Sequence, residues 1–200
     1  MKRFLLAVSL VFVVAAAVSA QVPSSPFSLY VGGAVSMPQS PDGFKETYKT
    51  GYHGFAGVGY SFVPKMQLVG KIEYNTFSFD WDNTEYPGLD DGGNQNILMF
   101  GADARFSFGV PAAPFKPFLF GGGGFANIKT DEFSGTDLVL ATAVNSSLED
   151  QTKAYFNVGA GADFKMGPAM SFFAQVRYVS VATEGDAATF IPLSLGLKFF

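Results

Sequence analysis

Alternation of apolar and polar residues constrains the fold of this chain more than any other feature. After residue 20 no helical period holds over a long window, whereas a period of two recurs in eight segments. Each segment has about 10–14 residues, close to the roughly 9–11 that a tilted strand needs to cross a bilayer. The pattern predicts an all-β fold, an eight-stranded antiparallel up-and-down transmembrane β-barrel, with strands at 27–37, 52–63, 66–79, 96–108, 117–129, 154–165, 171–181 and 190–199.

The connections between these segments alternate in length. The long connections are 38–51, 80–95, 130–153 and 182–189, and the short ones are 64–65, 110–116 and 166–170. Short periplasmic turns and long external loops on opposite ends are typical of bacterial outer-membrane barrels.

The N-terminus has the pattern of a secretory signal peptide. Lys2 and Arg3 precede an apolar stretch over residues 4–18, and Val18-Ser19-Ala20 supplies the small residues of a cleavage site. We therefore expect residues 1–20 to be removed after Ala20, leaving an exported barrel domain over residues 21–200 in the outer membrane. The chain has no cysteine, which excludes a disulfide framework, a lipoprotein anchor and a thiolate metal site.

Charged residues within the segments lie on the face opposite the apolar one, because neighbouring residues of a strand point to opposite sides. A soluble sandwich also alternates, but here the polar face is rich in Gly and Ser, which suits a narrow interior. An eight-stranded barrel has an interior just wide enough for side chains. We expect a polar network there, acting as a plug or, alternatively, as a gated ion path, formed by Lys71, Glu73, Asp103, Arg105, Asp163, Lys165, Gln175, Arg177 and Lys198. Adjacent segments suggest the pairs Lys71–Asp103, Glu73–Arg105 and Asp163–Arg177.

The stretch FLFGGGGF, residues 118–125, raises the question of a phosphate-binding loop. No Lys-Ser, Lys-Thr or helix follows it, so that interpretation is rejected. As part of a strand, it is predicted to place Phe118, Phe120, Gly122 and Gly124 on the lipid face and Gly121 and Gly123 inward.

The chain ends in LSLGLKFF, an alternating segment with a terminal aromatic residue. With the signal peptide, the eight segments and the loop alternation, this end resembles the small eight-stranded outer-membrane barrels of the OmpA/OmpX-like type, without a peptidoglycan-binding domain. The resemblance covers the whole mature chain. It implies that Gly196, Leu197, Phe199 and Phe200 form the signal that the barrel-assembly machinery recognises.

The long loops are acidic: 14 acidic residues face four lysines, a net charge of −10. Oxygen ligands at short spacing suggest a divalent-cation site in residues 80–91, formed by Asp80, Asp82, Glu85, Asp90 and Asp91. Without Lys2 and Arg3, the 13 basic residues fall to 11 against 17 acidic ones, a net charge of −6 that excludes nucleic acid as a partner.

His53 is the only histidine and lies on the inward face of the second segment. A lipid-modifying barrel enzyme would need such a general base, with Ser36 or Ser78 as a partner. We expect instead a monomer that is not an enzyme and needs no cofactor. Its expected contacts are outer-membrane lipids, the assembly machinery and surface ligands or divalent cations at the loops. Its role is then structural or one of adhesion and recognition, with a narrow ion-conducting pore as the alternative.

Overall fold

The computed structural model describes residues 26–83, 87–109, 113–183 and 185–200. Each strand pairs antiparallel with the next, and the last pairs with the first to close a barrel. The strands are β1 Phe27–Ser40, β2 Gly51–Val63, β3 Met66–Phe77, β4 Gln95–Ser107, β5 Phe115–Thr130, β6 Gln151–Lys165, β7 Met170–Val181 and β8 Ala188–Phe199. The predicted eight-stranded up-and-down barrel is confirmed. The signal peptide lies outside the described residues, and among those described no helix is long and apolar enough to cross a membrane.

The seam that closes the barrel runs between β1 and β8, from Leu29 opposite Phe199 to Ser40 opposite Thr189. Its register shifts between Pro38 and Ser40, near the loop end. A proline has no N–H to donate to the ladder and is tolerated at such irregular positions. Pro192, which interrupts the predicted last strand, lies opposite Ser36 close to this same end.

The outer face of the barrel carries two aromatic bands, as a lipid-facing surface requires. Near the short turns, exposed aromatic rings contact one another in pairs, for example Phe106 and Phe108 with centroids 4.9 Å apart. Near the long loops, Phe156 and Tyr178 lie 6.5 Å apart and are both exposed.

The faces of β5 are the reverse of the predicted ones. Phe118 and Phe120 are buried inside the barrel, whereas Leu119 and Phe125 point outward and are exposed. The cause lies in the neighbouring strand: Phe118 is opposite Gly161 and Phe120 opposite Gly159, so inward glycines of β6 leave room for the rings of β5. Phe118 is therefore an interior residue and not part of the lipid-facing band.

Two long loops contain short helices that the sequence pattern did not reveal. Helix α1 spans Asp42–Thr47 and helix α2 spans Leu138–Asn145. Asp137 caps α2, because its Oδ1 accepts hydrogen bonds from the backbone N–H groups of Val139 at 3.1 Å and Leu140 at 3.0 Å. Helices of 6 and 8 residues are too short to show a period. A capping residue could have indicated α2 only, since Pro41 at the start of α1 makes no side-chain capping hydrogen bond.

The inward residues of β3 run from the turn end to the loop end and mark successive interior layers. Gln67 lies at the turn end, Val69 in a small apolar cluster with Tyr30 and Phe173, and Phe77 in a larger apolar cluster at the loop end. Phe44 of α1 packs on Phe77 with ring centroids 5.2 Å apart and so covers that end of the interior. This loop-side cluster consists of Phe44, Phe77, Ile97, Met99, Ala126, Tyr155, Val179, Val181 and Phe190.

Candidate functional site

A buried chain of charges, here called the central network, lies between the two apolar clusters. Arg177 of β7 reaches across the interior to Glu73 of β3, with its Nη1 donating to Oε1 at 2.6 Å and its Nη2 donating to Oε2. Lys71 Nζ lies 2.7 Å from Glu73 Oε1 and 2.6 Å from Asp103 Oδ2. Asn157 Nδ2 donates to Asp103 Oδ1 at 2.9 Å. Each charge therefore has an opposite charge in direct contact.

A second group of charges, here called the turn-side network, lies nearer the short turns. Arg105 Nη2 donates to Asp163 Oδ1 at 2.5 Å, and Lys198 Nζ lies 4.0 Å from Asp163 Oδ2. The Arg105 guanidinium carbon is 3.4 Å from the centroid of the Phe118 ring, a cation–π geometry. Tyr30 completes the layer by donating from its hydroxyl to Gln67 Oε1.

Of the three predicted ion pairs, Lys71–Asp103 is present and the other two are wrong. Glu73 lies opposite Met99 in the β3–β4 register, and Arg105 lies opposite Gln67, which separates the two by several residues along the strand. Glu73 instead binds Arg177, and Asp163 binds Arg105 from β4. Partners were expected on adjacent strands, but in a barrel this narrow long side chains reach across the interior to a strand on the far side.

Lys165 does not belong to the interior. It is the last residue of β6 and is exposed at the turn end, where its backbone N–H donates to Pro114 O at 2.8 Å. The alternating pattern predicted an interior position for Lys165. The strand, however, extends beyond the enclosed interior of the barrel, so its last residue is exposed although it follows the pattern.

Residues of both the central network and the turn-side network line a cavity of about 30 Å³. Its lining includes Glu73, Gln175 and Arg177, together with the aromatic residues Tyr30 and Phe173.

His53 is buried on the inward face of β2, beneath the loop-side cluster. Its Nδ1 lies 3.1 Å from Ser36 Oγ, and Ser36 Oγ donates to Asn75 Oδ1 at 3.4 Å. The Ser36 hydroxyl thus joins His53 and Asn75 in one buried set of polar contacts. Ser36 is 0% exposed, so this arrangement favours a structural role for the pair.

The aspartates proposed as a cation-binding loop do not converge. Asp80 and Asp82 both face Lys49, at 3.5 Å and 2.5 Å, while Asp91 Oδ1 accepts from the Gly92 N–H at 2.8 Å. Hydrogen bonding to Asp82 raises the pKa of Lys49, and hydrogen bonding from Asn83 lowers the pKa of Asp80. Glu85 lies outside the described residues, and within them no group of three or more His, Cys, Asp or Glu residues could hold a metal ion.

Two of the long loops fold against each other above the barrel. Their residues 78–83, 87–94 and 131–150 are here called the loop cap. An aromatic cluster joins them: the Phe79 centroid lies 4.6 Å from that of Trp81 and 5.4 Å from that of Phe133. Backbone bonds add to this contact, since Ser134 N–H donates to Asp91 O at 2.9 Å and Asp137 N–H donates to Gly88 O at 3.0 Å.

Helix α2 is held on this cap by one side chain in particular. Asn145 Nδ2 donates to Phe133 O at 2.8 Å, and Asn145 Oδ1 accepts from Phe133 N–H at 2.7 Å. Ala141 is buried against the cap, whereas Leu138 and Val139 are 76% and 82% exposed. The helix is therefore held on the loop cap and exposes apolar side chains to its surroundings.

The four residues of the expected assembly signal lie at the β8 edge of the closing seam. Leu197 and Phe199 are on the outward face of β8, and Gly196 is inward, where the Phe173 ring lies over it. Phe200 follows the strand and lies 4.8 Å from Lys198 Nζ. Recognition by the assembly machinery stays a prediction.

Comparison with known proteins supports this architecture. The family model described as outer membrane protein beta-barrel domain matches residues 7–199. Neisserial surface protein A has a similar structure, with a TM-score of 0.62 and 18% identity over 88% of this chain and 97% of that one. Ail, the attachment invasion locus protein of Yersinia pestis, gives a TM-score of 0.55 and 18% identity over 88% and 99%. OprG of Pseudomonas aeruginosa gives 0.52 and 16% over 90% and 98%.

Curated proteins give no significant match to the sequence. The likenesses to solved structures, all at low identity, establish the fold. The family match covers nearly the whole chain. The chain belongs to the outer membrane protein beta-barrel family, and its place is the outer membrane.

Proposed function

We propose that this barrel acts at the cell surface and not as a passage through the membrane. The observation that carries the proposal is the filling of the interior. From turn end to loop end it contains the turn-side network, an apolar cluster, the central network and the loop-side cluster. The mature chain, after removal of the signal peptide, is then a closed barrel that anchors its external loops in the membrane. The role of the protein is adhesion, recognition or membrane integrity, and the external loops carry it.

The energetics of the central network favour a closed state. Removing one partner from a buried ion pair costs about 3–5 kcal/mol, because the other charge is left without compensation in a medium of low polarity. Opening a path past Glu73 requires separating it from both Arg177 and Lys71, and the loop-side cluster would also have to part.

The loop cap supports a surface role. It is a folded structure with an aromatic interior, and within its described residues it contains nine acidic side chains and no basic one. Two structurally similar proteins are described in such terms, one as a surface protein and the other as an attachment invasion locus protein. These descriptions belong to those proteins and are consistent with a similar role here.

The proposal is tested by separating the barrel from its cap. Cells that express the wild-type chain are compared for adhesion and membrane permeability with cells in which residues 132–148 are replaced by a short Gly-Ser linker. We expect adhesion to fall while permeability to small solutes stays at the level of cells without the barrel. High solute permeability with the wild-type chain would contradict the closed anchor.

A further inference from the structure

The exposed face of α2 is an apolar surface on the loop cap. Leu138 and Val139 lie in its first turn, and Thr142 and Ala143 follow one turn later on the same side. All four are exposed. This face is fixed on the loop cap by Asn145, which bonds Phe133, and by the Asp137 N–H, which donates to Gly88 O, so little conformational entropy remains to be lost when something binds to it.

The loop that carries this face, residues 131–150, contains five acidic residues and no basic one, and these five are here called the acidic border. Asp131, Glu132, Asp137, Glu149 and Asp150 belong to the same loop and are all exposed. Lys129, just before the loop, is bound to Asp150, and Asn96 donates to Asp131 at 2.8 Å. An apolar patch with an acidic border attracts a ligand with apolar side chains and positive charge around them.

We propose that the α2 face binds a cationic amphipathic segment of another protein. Its apolar residues would cover Leu138 and Val139, and its lysines or arginines would meet Glu132 and Glu149. This inference rests on the proposed surface function and specifies the chemistry of its partner.

The charge also decides against other occupants. A second copy of this chain would bring the same acidic border against itself in a symmetric contact, which is repulsive. Anionic lipids and polyanions meet the same repulsion. An uncharged or zwitterionic lipid surface is not repelled, so the experiment below also tests whether lipid covers this face.

The binding experiment uses the full mature chain in zwitterionic nanodiscs and a synthetic helical peptide with Leu residues at helical spacing on one face and Lys residues on the other. A peptide with Glu in place of Lys serves as the matched probe, and empty nanodiscs supply the background. We expect the Lys peptide to bind above background and the Glu peptide not to bind. Leu138→Ser with Val139→Ser should weaken binding by roughly tenfold or more, as loss of central interface anchors does.

Charge variants separate the acidic border from the general charge of the loops. Glu132→Gln with Glu149→Gln should reduce binding and its salt dependence, whereas Asp186→Asn, on the β7–β8 loop, should leave both unchanged. Equal binding by the Leu138→Ser/Val139→Ser variant, or equal losses from the two charge changes, would overturn the proposal.

A labelled variant tests the lipid alternative. The chain has no cysteine, so Val139→Cys accepts a single fluorophore. We expect the Lys peptide to shield this label from an aqueous quencher, and nitroxide lipids to leave it unquenched. Quenching by nitroxide lipids without peptide would show that the membrane covers the face and would overturn the proposal. Conductance of the same protein in a planar bilayer identifies the separate failure in which the barrel is open and the proposed function itself is wrong.

Discussion

The guanidinium of Arg105 lies on the ring of Phe118 inside the barrel, with 3.4 Å between its Cζ and the ring centroid. The ring itself is only 1% exposed. Simple alternation assigns Phe118 to the lipid face, but its ring instead packs against the buried Arg105, which also binds Asp163.

Replacing Phe118 should destabilise the barrel strongly. Phe118→Ala removes a buried ring and the cation–π contact together, and we expect a loss of about 3–5 kcal/mol in the free energy of unfolding. Phe125→Ala is the matched control, since that ring is 65% exposed on the outer face of the same strand. Urea unfolding in lipid vesicles, followed by the heat-dependent gel shift, measures both. Equal losses in the two variants would place Phe118 on the lipid face.

Inward and outward glycines of β5 should also differ in how much stability the barrel loses when each is replaced by alanine. A Cβ at Gly122 would meet the backbone of Ala102 and Asp103, whereas one at Gly121 would meet only Asn157 O at 3.4 Å. We therefore expect Gly122→Ala to destabilise the barrel by about 1–3 kcal/mol, as overpacking does, and Gly121→Ala to be close to neutral. The same unfolding assay compares the two, and a larger loss for Gly121→Ala would contradict the observed faces.

The observed faces of the strands show what alternation predicts and what it leaves open. It located all eight strands and the correct faces of β3 and β4, because there charged residues such as Lys71 and Asp103 mark the interior. In β5 the alternation is between aromatic residues and glycines, so hydrophobicity does not distinguish the faces. The cross-strand contact of Phe118 with Gly161 decides them, and that contact depends on register.

The partners inside the barrel were hard to predict for a related reason. Residues on adjacent strands are close in any sheet, and Lys71–Asp103 follows that rule. Arg177 and Glu73 are 104 positions apart on β7 and β3, and only closure of the barrel brings them together. Diameter and tilt fix which side chains meet across the interior, and neither appears in a local sequence pattern.

The central network should show strong coupling between its members. Arg177→Met leaves Glu73 with only Lys71, and we expect a loss of about 3–5 kcal/mol in the free energy of unfolding. Arg177→Met with Glu73→Leu should lose less than Arg177→Met alone, because no buried charge remains unpaired: Lys71 keeps Asp103. Additive losses in this double-mutant cycle would mean that the pair is not coupled.

The loop cap should loosen independently of the barrel. Phe133→Ala removes the ring that packs on Phe79 and Trp81, the only tryptophan of the chain. We expect a red shift of the Trp81 emission and faster proteolysis within 131–150, while the gel shift of the barrel stays unchanged. Leu138→Ala is the control, because that side chain is 76% exposed and contributes little to the cap. A lost gel shift in Phe133→Ala would show that cap and barrel unfold together.

The central claim is a closed interior, and single-channel recording of the refolded chain in a planar bilayer tests it most directly. Folding is first established by the heat-dependent gel shift, and Glu73→Ala serves as the comparison, because it removes the carboxylate that binds Arg177 and Lys71. The account predicts a folded wild-type barrel without regular conductance steps. Regular steps from the folded wild-type protein would contradict it and make the barrel a pore.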